Sequence, residues 1–199
     1  MRTVPEIRLH QADRSSGLSH LANLGQREST SPYWAYHWAG GIALARYLLD
    51  QPDVVAGRRV LDLGAGSGIV GIAAAKAGAR EVLASDIDVN ALVALGLNAT
   101  ANDVTISSIP GDLISGPPIP VDLVLIGDLF YEPELAARVT RFLDRCLESG
   151  IGALVGDPGR AFLPRSRLRR VRDFAVSDFG DGNGVLEKTS AVFSFHGAQ

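Results

Sequence analysis

The run Val60-Leu61-Asp62-Leu63-Gly64-Ala65-Gly66-Ser67-Gly68 passes from a short apolar strand into a glycine turn, and then into an alanine-rich helix ending near Gly78. Few folds accept that succession. Glycines at such a turn let the backbone reverse tightly and approach a ligand with no Cβ in the way. The helix that follows presents free N–H groups and the positive end of its dipole.

The alternation continues along the chain. A strand is predicted over Glu81–Ser85, a helix over Val89–Ala101, a weaker strand over Val104–Ile109 and a strong one over Val121–Gly127. The near-continuous apolar run of that fourth strand implies burial on both faces. A helix over Pro133–Glu148 and a strand over Ile151–Gly156 follow, then an arginine-rich helix over Phe162–Arg172. Strands at Phe174–Asp178 and Ser190–Phe195, joined by the turn Gly180–Gly184, read as a hairpin. Strands alternating with helices predict a Rossmann-like α/β fold. Its doubly wound, seven-stranded sheet is mostly parallel, and the hairpin adds one antiparallel edge strand.

Upstream, Pro32 opens an aromatic stretch, Tyr33-Trp34-Ala35-Tyr36-His37-Trp38, and a helix carrying Ile42, Ala45, Leu48 and Leu49 runs on until Pro52 stops it. Residues 1–31 are polar with weak periodicity and read as a mobile or loosely docked arm; residues 32–199 read as one domain. With 199 residues the chain has room for one sizeable core. A net charge of -3 gives no sign of a nucleic-acid binder. No apolar run reaches the roughly 18 residues of a membrane span, and Met1–Gln26 lacks a signal peptide's apolar block. The single cysteine, Cys146, excludes an internal disulfide and fits a reducing compartment. A cytoplasmic monomer is the default expectation.

The glycine spacing selects among ligands. A dinucleotide turn wants Gly-x-Gly-x-x-Gly, but Gly68 falls two positions after Gly66, which disfavours NAD. Asp62, just before the turn, suits a ligand carrying an ammonium group, as an amino-acid tail does, and Gly64, Gly66, Ser67 and Gly68 are placed against that ligand. Asp86, with its neighbour Ile87, lies about 20 residues past the turn, where ribose hydroxyls are bound. Asp112, followed by Leu113, comes after the third strand, where a carboxylate accepts from an adenine amino group. All three acids lie at carboxyl ends of strands, where open α/β sheets bind ligands. As isolated features they would read as turn glycines and helix caps; together they outline a nucleoside site.

The fourth strand ends in Gly127-Asp128-Leu129-Phe130-Tyr131. A carboxylate and an aromatic at this strand end make a small polar pocket, with Asp128 and Tyr131 as the candidate catalytic pair and Gly127 as a cofactor contact. A nucleophilic lysine amine must lose a proton held with a pKa near ~10.4, which costs about 4.6 kcal/mol at pH 7. A carboxylate raises an amine's pKa. Asp128 is therefore assigned to gripping and aiming the nitrogen, proximity supplying the rate. Capping the next helix is the alternative role for Asp128, compatible with the first.

The segments Trp34–Asp53, Val60–Gly64, Ala84–Asp88 and Gly127–Tyr131, with Gly156-Asp157-Pro158-Gly159-Arg160, resemble the electron transfer flavoprotein β-subunit lysine methyltransferases over roughly residues 32–195. The glycine turn is common to class I methyltransferases; the other segments are more specific. The resemblance implies S-adenosylmethionine as cofactor and methyl transfer to lysines of the flavoprotein β subunit. It also implies that Trp38 packs against the cofactor and that Asp128 faces the target amine. A nicotinamide-like small-molecule N-methyltransferase and a non-catalytic cofactor-binding module are the rival readings.

Tyr33, Trp34, Tyr36 and Trp38 could cage an alkylammonium. Arg160, Arg165, Arg167, Arg169, Arg170 and Arg172 form a basic run, read first as a solvated helix face and second as a docking surface for an acidic partner. The four histidines have no metal-ligand spacing, so no metal is expected.

Overall fold

An apolar residue at every position of a strand demands cover on both faces. The computed structural model, which describes residues 3–10, 32–178 and 186–197, shows how this is met. Strands β1 (Arg59–Leu63), β2 (Glu81–Asp86), β3 (Ser107–Pro110), β4 (Leu123–Gly127), β5 (Gly152–Asp157), β6 (Leu168–Asp178) and β7 (Leu186–Phe195) form one sheet. Its order is β3-β2-β1-β4-β5-β7-β6. The first five strands pair in parallel, and β7 runs antiparallel to both β5 and β6. The reversed strand thus sits one place in from the edge, and β6 is outermost.

Side chains alternate between two cores. Val60, Leu123, Leu125 and Leu154 face the layer made by α1 (Ala39–Asp50) and α2 (Ile69–Lys76). Leu61, Leu63, Val124, Ile126 and Val155 face α4 (Pro133–Glu148), whose Ala136, Val139, Phe142, Leu143 and Cys146 recur at helical spacing. The fourth helix, α3 (Val89–Ala101), follows β2 and brings Leu95 against Ala65 and Ala84.

Two expectations change. Residues 3–10 belong to the stretch read as a loosely docked arm, yet Val4 and Ile7 are buried in the first core. The backbone at Arg8 is held at both ends by Asn102, and His10 N–H donates to Asn98 Oδ1 at 2.8 Å. The remainder of that arm, residues 1–2 and 11–31, lies outside the described residues, as does the turn 180–184. Instead of the helix expected over 162–172, a single 3-10 turn, Arg165–Arg167, leads into β6. Arginine has good helix propensity, but pairing with β7 overrides it, and a register shift between Arg170 and Arg172 breaks the strand alternation. The guanidinium groups lie over aromatic rings, Arg167 on Phe195, Arg170 on Phe193 and Arg172 on Phe174. Asp144, Asp173 and Asp50 answer their charges. This is the cover of an edge strand by long charged side chains.

The first turn of α1, Ala39-Gly40-Gly41, rests directly on the ends of β4 and β5. A Cβ at Gly156 would overlap the Gly40 carbonyl oxygen, and one at Gly127 would lie 2.9 Å from Gly41 Cα. Glycine is required here because backbone meets backbone. Gly156→Ala is expected to destabilise the fold by about 1–3 kcal/mol through forced separation of α1 from the sheet; a thermal melt within 1 °C or so of the parent protein would contradict the close approach.

Candidate active site

Because the chain steps outward from β1 to β3 and then returns to place β4 beside β1, the carboxyl ends of β1 and β4 bound a crevice, the point where such sheets bind ligands. A cavity of about 510 Å3 opens there, within the usual ~300–1,000 Å3 of cofactor sites.

The turn after β1 forms one wall. Gly64 and Gly66 line the cavity with positive φ values of 68° and 52°. Gly64 and Ala65 donate their N–H groups to Ser85 O at 2.8 and 3.0 Å, which ties the turn to β2. Gly66 N–H donates to Asp86 Oδ2 at 2.9 Å, and Asp88 N–H to Asp86 Oδ1 at 3.0 Å. Burial raises the Asp86 pKa while these amides oppose it. Ile87 lines the cavity beside Asp86 and is 75% exposed.

At the end of β3, Asp112 and Leu113 also line the cavity. Asp112 Oδ2 accepts from Ser115 Oγ at 2.6 Å and from Arg138, which together hold its carboxyl below the usual range. Ile114, Leu135 and Val139 add apolar surface. A flat apolar wall, two carboxylates with lone pairs to spare and a turn bare of side chains fit an adenosyl group with an amino-acid tail. The residues that would hold it are Asp86, Ile87, Asp112 and Leu113 around the nucleoside, with Gly64 and Gly66 beside the tail.

Three of the residues assigned to direct cofactor contact are not on the cavity wall, and this corrects the sequence reading. Asp62 points into the core, 1% exposed, and accepts from Gly71 N–H of α2 at 2.8 Å. Ser67 is buried, its carbonyl accepting from Asn98 Nδ2 at 2.8 Å. Gly68, at φ 84°, caps α2 and packs on Leu95. All three shape the turn from behind. The period-two alternation of β1 explains the placement of Asp62: Leu61 and Leu63 occupy the α4 side, so Asp62 falls on the α2 side.

The other end of the cavity is formed by Trp38, Gly127, Asp128 and Tyr131, which were read from sequence, together with Arg160, Tyr33 and Trp34. Asp128 is 6% exposed, with φ at 59°, a left-handed conformation that aspartate tolerates better than most residues. Its Oδ2 accepts from Gly41 N–H at 2.8 Å, so it satisfies the first turn of α1. The following helix, α4, has Glu132 at its N-cap, so Asp128 is not its cap. Asp128 Oδ1 accepts from Arg160 Nη2 at 2.7 Å and Nε at 3.2 Å. Burial pushes the carboxyl up to about 6, with Arg160 opposing. Tyr33 stands against Trp38 and Tyr131 with ring centroids 5.9 and 5.7 Å away. Arg160 belonged, in sequence, to the basic run and to the Gly-Asp-Pro-Gly-Arg turn. Only the turn, at the end of β5, pointed toward the site.

The family model for ribosomal protein L11 methyltransferase matches residues 43–126. The electron transfer flavoprotein beta subunit lysine methyltransferase of Rattus norvegicus is 38% identical over 175 residues, covering 84% of this chain and 68% of that one. The Xenopus laevis protein of the same description is 44% identical over 172 residues, 82% of this chain and 69% of that one. Among solved structures, a putative RNA methyltransferase, PH1948 from Pyrococcus horikoshii, superposes with a TM-score of 0.60 at 17% identity, covering 92% of this chain and 100% of that chain. The fold and the crevice are those of the seven-stranded class of S-adenosylmethionine-dependent methyltransferases, and this protein is one of them. Within that class the chain belongs to the electron transfer flavoprotein beta subunit lysine methyltransferase family, spanning about two thirds of the length of these two relatives.

Two measurements check the geometry. Asp86→Ala removes the acceptor for two turn amides and is expected to weaken S-adenosylhomocysteine binding about 10- to 100-fold by calorimetry. Burial first, and Asp86 second, push Asp62 up from 3.8 to about 7, against which only the Gly71 amide acts. A carboxyl with a raised folded-state pKa holds its proton better in the native than in the unfolded chain, so its contribution to stability is lost as pH rises from about 4 to about 7. Asp62→Asn, which keeps the acceptor for Gly71, is expected to gain stability relative to the parent across that window and to level off above it. Urea unfolding at a series of pH values reads this, and parallel curves would refute it.

Proposed function

We propose that this protein transfers methyl groups from S-adenosylmethionine to lysine side chains of a protein, and that the protein is the beta subunit of electron transfer flavoprotein. The family supports the substrate class, and the names of the rat and frog relatives supply the particular partner. The observation that carries the reading is the aromatic mouth of the cavity. Tyr33 and Tyr131, 50 and 45% exposed, line it with Trp34 and Trp38, and Tyr36, 42% exposed, packs on Trp38. A lysine's aliphatic stem packs on such rings, and its cationic head is attracted to their faces during approach.

When bound, S-adenosylmethionine supplies an electrophilic methyl carbon on a sulfonium. The protein's part is to bring a nitrogen lone pair into line with it. Tyr33 and Tyr131 bracket the approach, and Asp128 presents a fixed oxygen beside Gly127. These residues would hold the acceptor nitrogen with its lone pair toward that carbon, and water would take the proton the nitrogen releases. Alignment of this kind accounts for much of the barrier lowering in two-reactant steps.

A cytoplasmic setting is part of the same proposal, resting on the single cysteine of the sequence, which can close no internal disulfide. The test is transfer of labelled methyl groups to purified electron transfer flavoprotein, with nicotinamide as a parallel acceptor and mass spectrometry to place the label. Label on lysines of the beta subunit is expected, with kcat falling about 100-fold in Asp128→Asn while cofactor affinity is kept. Label on nicotinamide alone would replace this reading with the small-molecule one. Cofactor binding without transfer to either acceptor would reduce the protein to a binding module.

A further inference from the structure

Among the described residues Arg160 is the one arginine that lines the cavity, and it is clamped on every side. Its backbone N–H donates to Asp157 Oδ1 at 2.7 Å, an oxygen that also accepts from Gly159 N–H at 2.7 Å. Its guanidinium makes two hydrogen bonds to Asp128 and lies over the Trp38 ring, 5.5 Å from the centroid. Asp128, with Gly41 N–H on its other oxygen, therefore has donors on both oxygens before any acceptor arrives.

A free carboxylate at this position would work against the reaction. An opposite charge within ~4–6 Å holds an amine in its ammonium form, and the ammonium has no lone pair to offer. Burial has the reverse effect on Asp128, pushing it up to about 6 even with Arg160 opposing. Without the guanidinium, an ammonium docking beside Asp128 would take its place as the carboxylate's partner.

Resting on the reading that the acceptor is an amine, we propose that Arg160 is a positioning residue for methyl transfer: it fixes Asp128 Oδ1, as the Gly41 amide fixes Oδ2, and cancels the carboxylate's charge, so that the acceptor nitrogen docks as a free amine beside a neutral pair. The other groups facing this pair are few. Asp157 at the end of β5 adds negative charge, the Gly41 amide of α1 donates to Asp128, and Tyr131 faces Arg160 from the segment before α4. The Trp38 ring centroid lies 5.5 Å from the guanidinium carbon, and two donors from one planar group on Asp128 Oδ1 are a geometry lysine lacks.

The test compares Arg160→Gln, Arg160→Lys and the double variant Asp128→Asn/Arg160→Gln on two readouts. The first is carbon NMR of the aspartate carboxyls in the protein without substrate or cofactor. The Asp128 titration is expected to move up by about one to three pH units in Arg160→Gln, and by less in Arg160→Lys. The second is the pH dependence of kcat with the flavoprotein beta subunit as acceptor. Its midpoint is expected to rise by about one unit in Arg160→Gln and to return toward the parent value in the double variant, where no anion remains to hold an ammonium. Loss of packing alone would lower kcat at every pH without moving the midpoint. An unmoved midpoint in folded Arg160→Gln, or a double variant that stays shifted, overturns the proposal. So does an unmoved Asp128 titration, which is measured without any acceptor and stands whatever the acceptor proves to be; absence of transfer by the parent protein would instead strike the lysine reading.

Discussion

The transfer end of the cavity is held by the contact of α1 with the ends of β4 and β5. Gly40 and Gly41 on the helix, and Gly127 and Gly156 on the strands, remove the side chains that would keep the two layers apart. At that spacing the first turn of α1 reaches Asp128, which accepts the Gly41 N–H, while the Asp128 N–H donates to Gly156 O at 3.0 Å. One residue thereby joins α1, β4 and β5. The same helix carries Trp38 at its N-cap, so the aromatic wall is set by the close approach as well.

The acids at the carboxyl ends of β1 to β4 are all engaged, two by amides and two by arginines. Asp62 is turned inward and answers an amide of α2, Asp86 draws the glycine turn over the crevice, Asp112 is paired with Arg138, and Asp128 with Arg160. Burial dominates at Asp62, Asp86 and Asp128 and raises all three, whereas the half-exposed Asp112 is lowered by its partners. The Asp86 and Asp112 end of the cavity is thus built from fixed charge and backbone, and the Asp128 end from a charge pair in an aromatic setting. That division suits the proposed reaction, with the nucleoside at one end and the acceptor amine at the other.

The arginines divide in the same manner. Arg167, Arg170 and Arg172 lie over phenylalanine rings and are paired with aspartates. They guard the outer strand and have a structural explanation. Arg160 differs because the turn after β5, nailed down by the buried Asp157, delivers it to the cavity.

Much of this was legible in the sequence. The alternation of apolar strands with helices, the doubly apolar β4, the glycine turn and the acids at Asp86, Asp112 and Asp128 follow from period, burial and turn chemistry, all local properties. The helix bounds Val89–Ala101 and Pro133–Glu148 were readable for the same reason: Asp88 caps the first and Pro133 opens the second. What local chemistry could not decide was direction and pairing. Whether Asp62 meets a ligand or an amide of α2 depends on which face of β1 each helix covers. Whether an arginine-rich run becomes helix or strand depends on β7, about 20 residues later, and whether Asp128 stands free depends on Arg160, 32 residues away. The sequence determined the alternation of strands and helices from β1 to β5 and where the crevice lies, because those follow from spacing along the chain. The tertiary structure alone decided which charges meet, because that is set by contacts between residues far apart in it.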